Sequence, residues 1–264
     1  MSEVSIETPL TIPTSMCVTK QKNTGNHMSN HKNTMNPDKL SQVAENYLLS
    51  LYILSEEHIK ATPAHLAEHL RSLPASEGLG TSLPSVLGML RRMSKEGLLT
   101  LGSDKEVKLT NQGLIAAKNM IRRHRLAERL IVDLLGLELD KAHIEAHRLE
   151  HAISPEMESR IDELLGYPTT CPFGGPIPDS GYTPPNKPII SLRDIAQGEM
   201  CTVIRVPEED QQLLHFLVTQ NILPNEHVEV VESSVHKGII IIKTTTGEGA
   251  IGHNVAGRIW VTRT

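Results

Sequence analysis

The hydrophobic pattern of this chain changes period once, and that change limits the folds open to it. Up to Gly166 apolar residues recur at helical spacing; beyond Pro188 they alternate. Leu40, Val43, Ala44, Tyr47, Leu48, Leu51, Tyr52 and Leu54 form the first helical stripe, in PDKLSQVAENYLLSLYILSEE. Thr62-Pro63 gives a cap and a first-turn proline to a short helix through AHLAEHL, and Pro84 opens another, PSVLGMLRRMSKEG, stopped by Gly97. LLTL and VKL flank the polar turn GSDKE and read as a hairpin. NQGLIAAKNMIRRHRLAERLIVDLL predicts one extended helix ending at Gly136, Asp140 caps the next, and Ser154-Pro155 starts one that ends at Gly166.

Between Tyr167 and Pro188 lie seven prolines and three glycines, which read as a linker or a loop pinned to a surface. Beyond it CTVIRV, HVEVVES, GIIIIKT and RIWVTR read as strands around one helix, EDQQLLHFLVTQ, and suit a small barrel. The expected class is mainly α with a small β part. Residues 1–36 show no period and are rich in Ser, Thr, Asn, Lys and Pro, so they read as a disordered tail.

Composition narrows the function. Aromatics are 3 % of 264 residues, so cores must come from Leu, Ile, Val and Ala, and a stacking platform for single-stranded nucleic acid is excluded. The net charge of -5 hides an asymmetry: Pro84 to Arg129 holds ten Lys/Arg against four Asp/Glu, while Glu199 to Glu232 holds seven acidic residues against one Arg. Cys17, Cys171 and Cys201 form no Cys-x-x-Cys, which fits a reducing cytosol and gives no thiolate zinc knuckle. No apolar run is long enough for a membrane span and no secretory signal is visible, so a cytoplasmic protein is expected.

Two helices, a loop, a basic helix and a hairpin make a winged helix-turn-helix pattern. The helix from Pro84 would enter the major groove. Ser82, Pro84 and Ser85 would sit in its first turn, with Arg91, Arg92 and Lys95 farther along; Lys105 and Lys108 of the hairpin would reach flanking phosphates. The competing reading is a merely solvated basic face.

HIEAHRLEH, His143 to His151, is the densest chemical motif. At helical spacing His143, His147, Glu150 and His151 fall at about 0, 40, 340 and 80°, one arc of about 100°, with Ala142, Ala146, Leu149 and Ile153 left to bury. The preceding helix offers His124 and Glu128 at i and i+4. Two helices presenting such pairs to each other build metal sites in helical cores. Nitrogen and oxygen donors suit Mn(II), Fe(II), Zn(II), Co(II) or Ni(II) and disfavour Cu(I). His147-x-x-Glu150-His151 also matches the inverted zinc-peptidase motif. A zinc hydrolase would need Glu150 as base beside an open cleft, and no segment here supplies a catalytic domain. A DNA-binding protein with a purely structural metal is the other alternative.

The segments AENYLLSLYIL, LRRMSKEGLL, RRHRLAERLIVDLLGL, HIEAHRLEHAIS and CPFGGPIP together resemble the diphtheria toxin repressor family of iron- and manganese-dependent transcriptional regulators, over residues 38–264. The resemblance implies a winged helix-turn-helix DNA-binding domain over 37–109, a helical metal-binding and dimerisation domain over 110–166, a Pro-rich linker over 167–188 and an SH3-like, FeoA-like domain over 189–264. It implies a homodimer on palindromic operator DNA, with Mn(II) or Fe(II) as activating ion and Zn(II) as a further option. It implies a primary site of Asn46, His147, Glu150 and His151. The implied ancillary site has His124, Glu128 and His143, with Glu209 and Gln212 from a Glu-x-x-Gln stretch in the barrel. The chain departs from the family at two positions: where iron-type members place Met and Cys, and manganese-type members Asp and Glu, it has Asn46 and His147.

Overall fold

A computed structural model describes residues 40–73 and 78–264; the tail expected over 1–36 lies outside the described residues. Helix α1 runs Gln42–Glu56, with Ser41 Oγ accepting the Ala44 N–H at its start. Helix α2, Pro63–Ser72, and helix α3, Leu83–Lys95, each begin with a Thr or Ser cap followed by an early proline. Strands β1, Leu99–Leu101, and β2, Val107–Leu109, pair antiparallel as the wing. Tyr47, Leu51, Leu66, Leu70, Val86, Leu90, Met93 and Leu98 fill the core of this unit.

Helix α1 is buried on more than one side, which decides its role. Leu48 and Leu51 belong to the core just described, while Leu49 and Ile53 pack against Met120 and Ile121 of the next helix. Each such side chain stabilises its contact by roughly 1.5–3 kcal/mol. The first helix of the winged unit is thereby also a wall of the helical bundle.

Helix α4, Asn111–Arg129, passes directly into a π-helical turn, Leu130–Leu134; α5 spans Leu139–Glu150 and α6 spans Pro155–Leu164. The single long helix expected to reach Gly136 is therefore α-helical only to Arg129. Asp140 does not cap α5: Glu138 holds the cap position, and Asp140, in the first turn, accepts from His215 Nδ1 at 2.7 Å.

The proline-rich segment is a strap rather than a free linker. Cys171, Phe173 and Ile177 are buried in one core with Leu126 and Ala146 of the bundle and Val203, Val230 and Val261 of the C-terminal sheet. Arg122, Arg125 and Arg129, on one face of α4, donate to the carbonyls of Pro178, Pro176 and Thr170 at 2.7, 2.5 and 2.7 Å. Gly174 has φ +91°, and a Cβ there would lie 1.9 Å from the Ile204 carbonyl oxygen; at Gly175 it would strike the Arg125 guanidinium.

Strands β3 (Ile190–Ser191), β4 (Met200–Arg205), β5 (His227–Ser234), β6 (Ile239–Thr244), β7 (Gly247–Gly252) and β8 (Trp260–Arg263) form one antiparallel sheet in the order β3-β8-β4-β5-β6-β7. Register shifts at Val203/Arg205 and Val230/Glu232 bend it in the manner of a small barrel. Helix α7, Gln211–Thr219, lies between β4 and β5 in the chain, and a short α8, His253–Ala256, follows β7. Sequence reading missed β7, because GEGAIG offers hardly any side chain to alternate.

Candidate metal centre and nucleic-acid face

Helices α4 and α5 meet through Leu126 and Ala127 on one side and the small Ala142 and Ala146 on the other. That close approach brings their polar stripes together. His124 and Glu128 of α4 and His143, His147 and Glu150 of α5 are all buried, none more than 2 % exposed.

Three donor atoms form a compact triangle: His124 Nε2 to Glu128 Oε1 is 2.9 Å, His143 Nδ1 to Glu128 Oε1 is 3.0 Å, and His124 Nε2 to His143 Nδ1 is 3.2 Å. An octahedral ion with ligands at about 2.1 Å has donor-to-donor edges of about 3.0 Å, so this face fits a divalent cation. Glu208, from the turn between β4 and α7, closes the group: one donor atom from each of the four residues lies within 4.8 Å of the others. Glu208 is fully buried, and neither of its carboxylate oxygens has a hydrogen-bond partner among the described residues. Burial, with Glu128 beside it, pushes its carboxyl up to about 7. A buried carboxylate without donors is what a cation site looks like before its ion is counted.

The segment Glu208-Glu209-Asp210-Gln211-Gln212 contains the Glu-x-x-Gln spacing twice, and sequence alone gives no register. The expected pair, Glu209 and Gln212, is not brought to this cluster: Glu209 accepts from Arg258 Nη2 at 2.8 Å, and Gln212 is exposed in the first turn of α7. Glu208 takes the inward position, and Gln211, three residues on, has a buried Nε2 without a partner among the described residues. Cys171, set aside at the sequence level, was also missed. Its buried thiol is raised well above the ordinary value by burial and by the neighbouring Glu128 and Glu208. A residue at the far end of a proline-rich strap gives no periodic signal that could have placed it there.

The second cluster surrounds Glu150. Its Oε2 accepts from His124 Nδ1 at 2.5 Å, and its Oε1 lies 3.2 Å from His147 Nδ1 and 3.5 Å from His151 Nε2. His151 Nδ1 donates to Glu45 Oε2 of α1 at 2.7 Å, and Arg123 Nη2 donates to the other oxygen of Glu45 at 2.8 Å. Asn46, the next residue on α1, is fully buried. Glu45 is a further residue that sequence reading did not single out.

The electrostatics follow from burial among opposite charges. Burial disfavours a charged His124, but Glu128 and Glu150 outweigh it and hold the imidazole well above its usual value. Burial would raise Glu128 and Glu150, yet His124 and the other imidazoles keep both low, Glu150 at about 2. Burial, helped by His143 and His124 and opposed by Glu150, drops His147 to about 4. Two carboxylates thus share one charged imidazole, which a divalent cation can replace with release of its proton. The hydrolase alternative loses its base here: Glu150 is fully buried and its oxygens already face three imidazoles.

On the winged unit, Ser82, Pro84, Ser85, Arg91, Arg92 and Lys95 line the exposed face of α3, and Lys105 and Lys108 are exposed on the wing. Ser82 is also the cap of α3, its Oγ accepting the Ser85 N–H at 3.4 Å. Arg92 pairs with Glu96 at 2.9 Å and Lys108 with Glu106 at 3.1 Å, whereas Arg91, Lys95 and Lys105 form no ion pair among the described residues. The basic character of α4 has a different use. Arg122 binds Glu158 and Asp162, Arg123 binds Glu45, and Arg125 binds Glu56, so this half of the basic segment is structural.

Family models cover these same units: an iron-dependent repressor N-terminal DNA-binding domain over 39–107, an iron-dependent repressor metal-binding and dimerisation domain over 110–179, and a FeoA domain over 190–263. The chain is 34 % identical to the iron-dependent repressor IdeR of Mycobacterium leprae, over 77 % of this chain and 90 % of that protein. It belongs to the diphtheria toxin repressor family. The diphtheria toxin repressor of Corynebacterium diphtheriae is 38 % identical over 53 % of this chain and 58 % of its own length. Among solved structures, a manganese-dependent transcriptional repressor in complex with manganese superposes with a TM-score of 0.72 at 32 % identity, covering 84 % of this chain and all of that one. The manganese regulator SloR gives 0.70 at 26 % identity, covering 85 % of this chain and 100 % of its own. Within this family the winged unit, the bundle and the FeoA-type sheet have their counterparts, and the family consists of DNA-binding regulators rather than enzymes.

Proposed function

We propose that this chain is a cytoplasmic repressor of metal-homeostasis genes that binds palindromic operator DNA as a homodimer when Mn(II) or Fe(II) is loaded; Zn(II) is also accommodated by its donors. One ion is held by His124, Glu128, His143 and Glu208, with Cys171 and Gln211 at its margin. A second is held around Glu150 and His151, with His147 beside them and Asn46 as the α1 member. The observation that carries this reading is the closed, fully buried donor set with the unsatisfied carboxylate of Glu208 in it.

The coupling to DNA runs through α1. That helix belongs to the reading unit, while it also carries Glu45, bound to His151 at the C-terminal cap of α5, and next to it in sequence the buried Asn46. An ion joining α1 to α5 fixes the reader relative to the bundle, and two readers of a dimer are then set about one duplex turn, roughly 34 Å, apart. The linkage is reciprocal, so operator DNA tightens ion binding. Dimerisation uses the apolar end of the bundle, where Leu134, Leu135 and Leu137 are 51, 59 and 38 % exposed, the last two lining one groove with Leu149. Such a cluster within a dimerisation domain is the face for a second copy.

Operator mobility shift across a panel of divalent ions at fixed salt tests this. His151→Ala is expected to abolish the ion-stimulated shift while the protein stays folded and dimeric; a full response to Mn(II) and Fe(II) in that variant would refute the assignment. Retention of DNA binding after chelation would favour a purely structural metal instead.

A further inference from the structure

The two donor clusters touch through histidine rings at two junctions, and the junctions differ. At the first, His124 presents Nε2 to the triangle with Glu128 and His143, and Nδ1 to Glu150 Oε2. A ring that gives Nε2 to an ion keeps its proton on Nδ1 and donates it to that carboxylate, so one tautomer serves both clusters.

The second junction is ring to ring. His143 Nε2 and His147 Nε2 lie 3.2 Å apart, with ring centroids at 4.6 Å and planes at 81°. The two residues are 2 % and 0 % exposed, so each of these nitrogens has the other as its partner. A hydrogen bond here needs one N–H and one lone pair. Once His143 gives Nδ1 to an ion in the triangle, its proton stands on Nε2, and His147 Nε2 must accept it. His147 then carries its own proton on Nδ1, which faces Glu150 Oε1 at 3.2 Å. An ion on His147 Nδ1 at the same time would leave two N–H groups head to head with no acceptor between them. A thiolate or carboxylate at this position would meet no such conflict, because it only accepts.

We propose that, when both clusters are loaded, His147 is a positioning residue and not a ligand. It accepts from His143 and donates to Glu150, so Glu150 receives one hydrogen bond on each oxygen, from His147 and His124. Each oxygen retains a lone pair for the second ion, which Glu150 holds with His151 and Asn46. The state of the first cluster is thereby written into the orientation of the carboxylate that serves the second. The inference rests on the two-cluster reading above.

Ion counting by equilibrium dialysis against Mn(II), on the full chain, decides it. Gln is the informative replacement at 147, since its amide accepts and donates but ligates poorly. His147→Gln is expected to keep two ions per chain, and His143→Gln to keep one. His147→Leu, which removes both bonds, should keep two ions while the second binds about 10–100-fold more weakly. Nitrogen-15 spectra of the wild-type chain loaded with Zn(II) provide a readout independent of variant folding: His147 is expected as a neutral ring protonated on Nδ1. Loss of an ion in a folded His147→Gln variant, a metal-bound nitrogen in His147, or a wild-type chain that takes only one ion each overturns the proposal. Failure of the repressor reading is seen separately, as a wild-type chain whose operator binding ignores every ion.

Discussion

At the scale of single residues, the structure turns on side chains that are costly without a partner. Glu208 is the clearest case: a buried carboxylate with no hydrogen-bond donor among the described residues destabilises the ion-free fold and can be stabilised by a cation. Glu208→Gln is therefore expected to act with opposite signs in two states. Thermal unfolding of the metal-free protein should shift upward, and the further rise produced by Mn(II) should shrink. A parallel change in both states would mean that Glu208 has no part in ion binding. This residue also shows how far sequence reading reaches. The spacing of His124, Glu128, His143, His147 and Glu150 reveals them because a helix converts spacing into direction. Glu208 and Cys171 stand in a loop and a strap, where no period exists, and only the assembled chain brings them to the same buried cluster.

At the scale of elements, α1 is held at both ends by charge. Near its start Glu45 binds His151 and Arg123; at its end Glu56 receives Arg125 at 3.0 and 2.5 Å and Arg205 of β4 at 2.8 Å. Burial alone would raise Glu56, but Arg125 and Arg205 bring its carboxyl below the ordinary value of 4.5. The folded state thus releases this proton more readily than the unfolded chain. Its contribution is complete above about pH 4.5 and fades as pH falls through the lowered folded value. Glu56→Gln should cost about 3–5 kcal/mol at neutral pH, because Arg125 is left buried without its counter-charge. It should also flatten the loss of stability in acid, measured by urea unfolding between pH 3 and 7; an unchanged acid limb would show that this ion group does not govern it. Helix α3 and the wing allow a different measurement. Alanine at Arg91 or Lys105 should lower the salt slope of operator binding by about one for each phosphate the variant no longer neutralises. Slopes equal to wild type in both would remove the groove assignment. Sequence patterning anticipated α1 from its apolar stripe, α2 and α3 from the prolines that open them, and the wing from two apolar runs around a polar turn. It did not distinguish Arg91 and Lys95 of α3, which form no ion pair among the described residues, from the arginines that brace α4, since all are merely basic until their carboxylate partners are seen.

At the scale of the whole molecule, the proposed function requires two copies and two ions to act together. If the apolar end at Leu134 to Leu137 joins the copies, Leu135→Glu should yield a monomer in sedimentation experiments. Such a monomer should still bind ions but engage a palindrome far more weakly than the dimer; a variant that remains dimeric would place the interface elsewhere.

The strap has a consequence of its own. Phe173 and Ile177 pack in one core with side chains of both the bundle and the terminal sheet, and three arginines grip the backbone of the strap at Thr170, Pro176 and Pro178. The third module is therefore no detachable appendage. Severing the polypeptide anywhere near Pro188 would leave a greasy wound on what remains, so evolution can shorten or swap this module only by repainting the surface it covers.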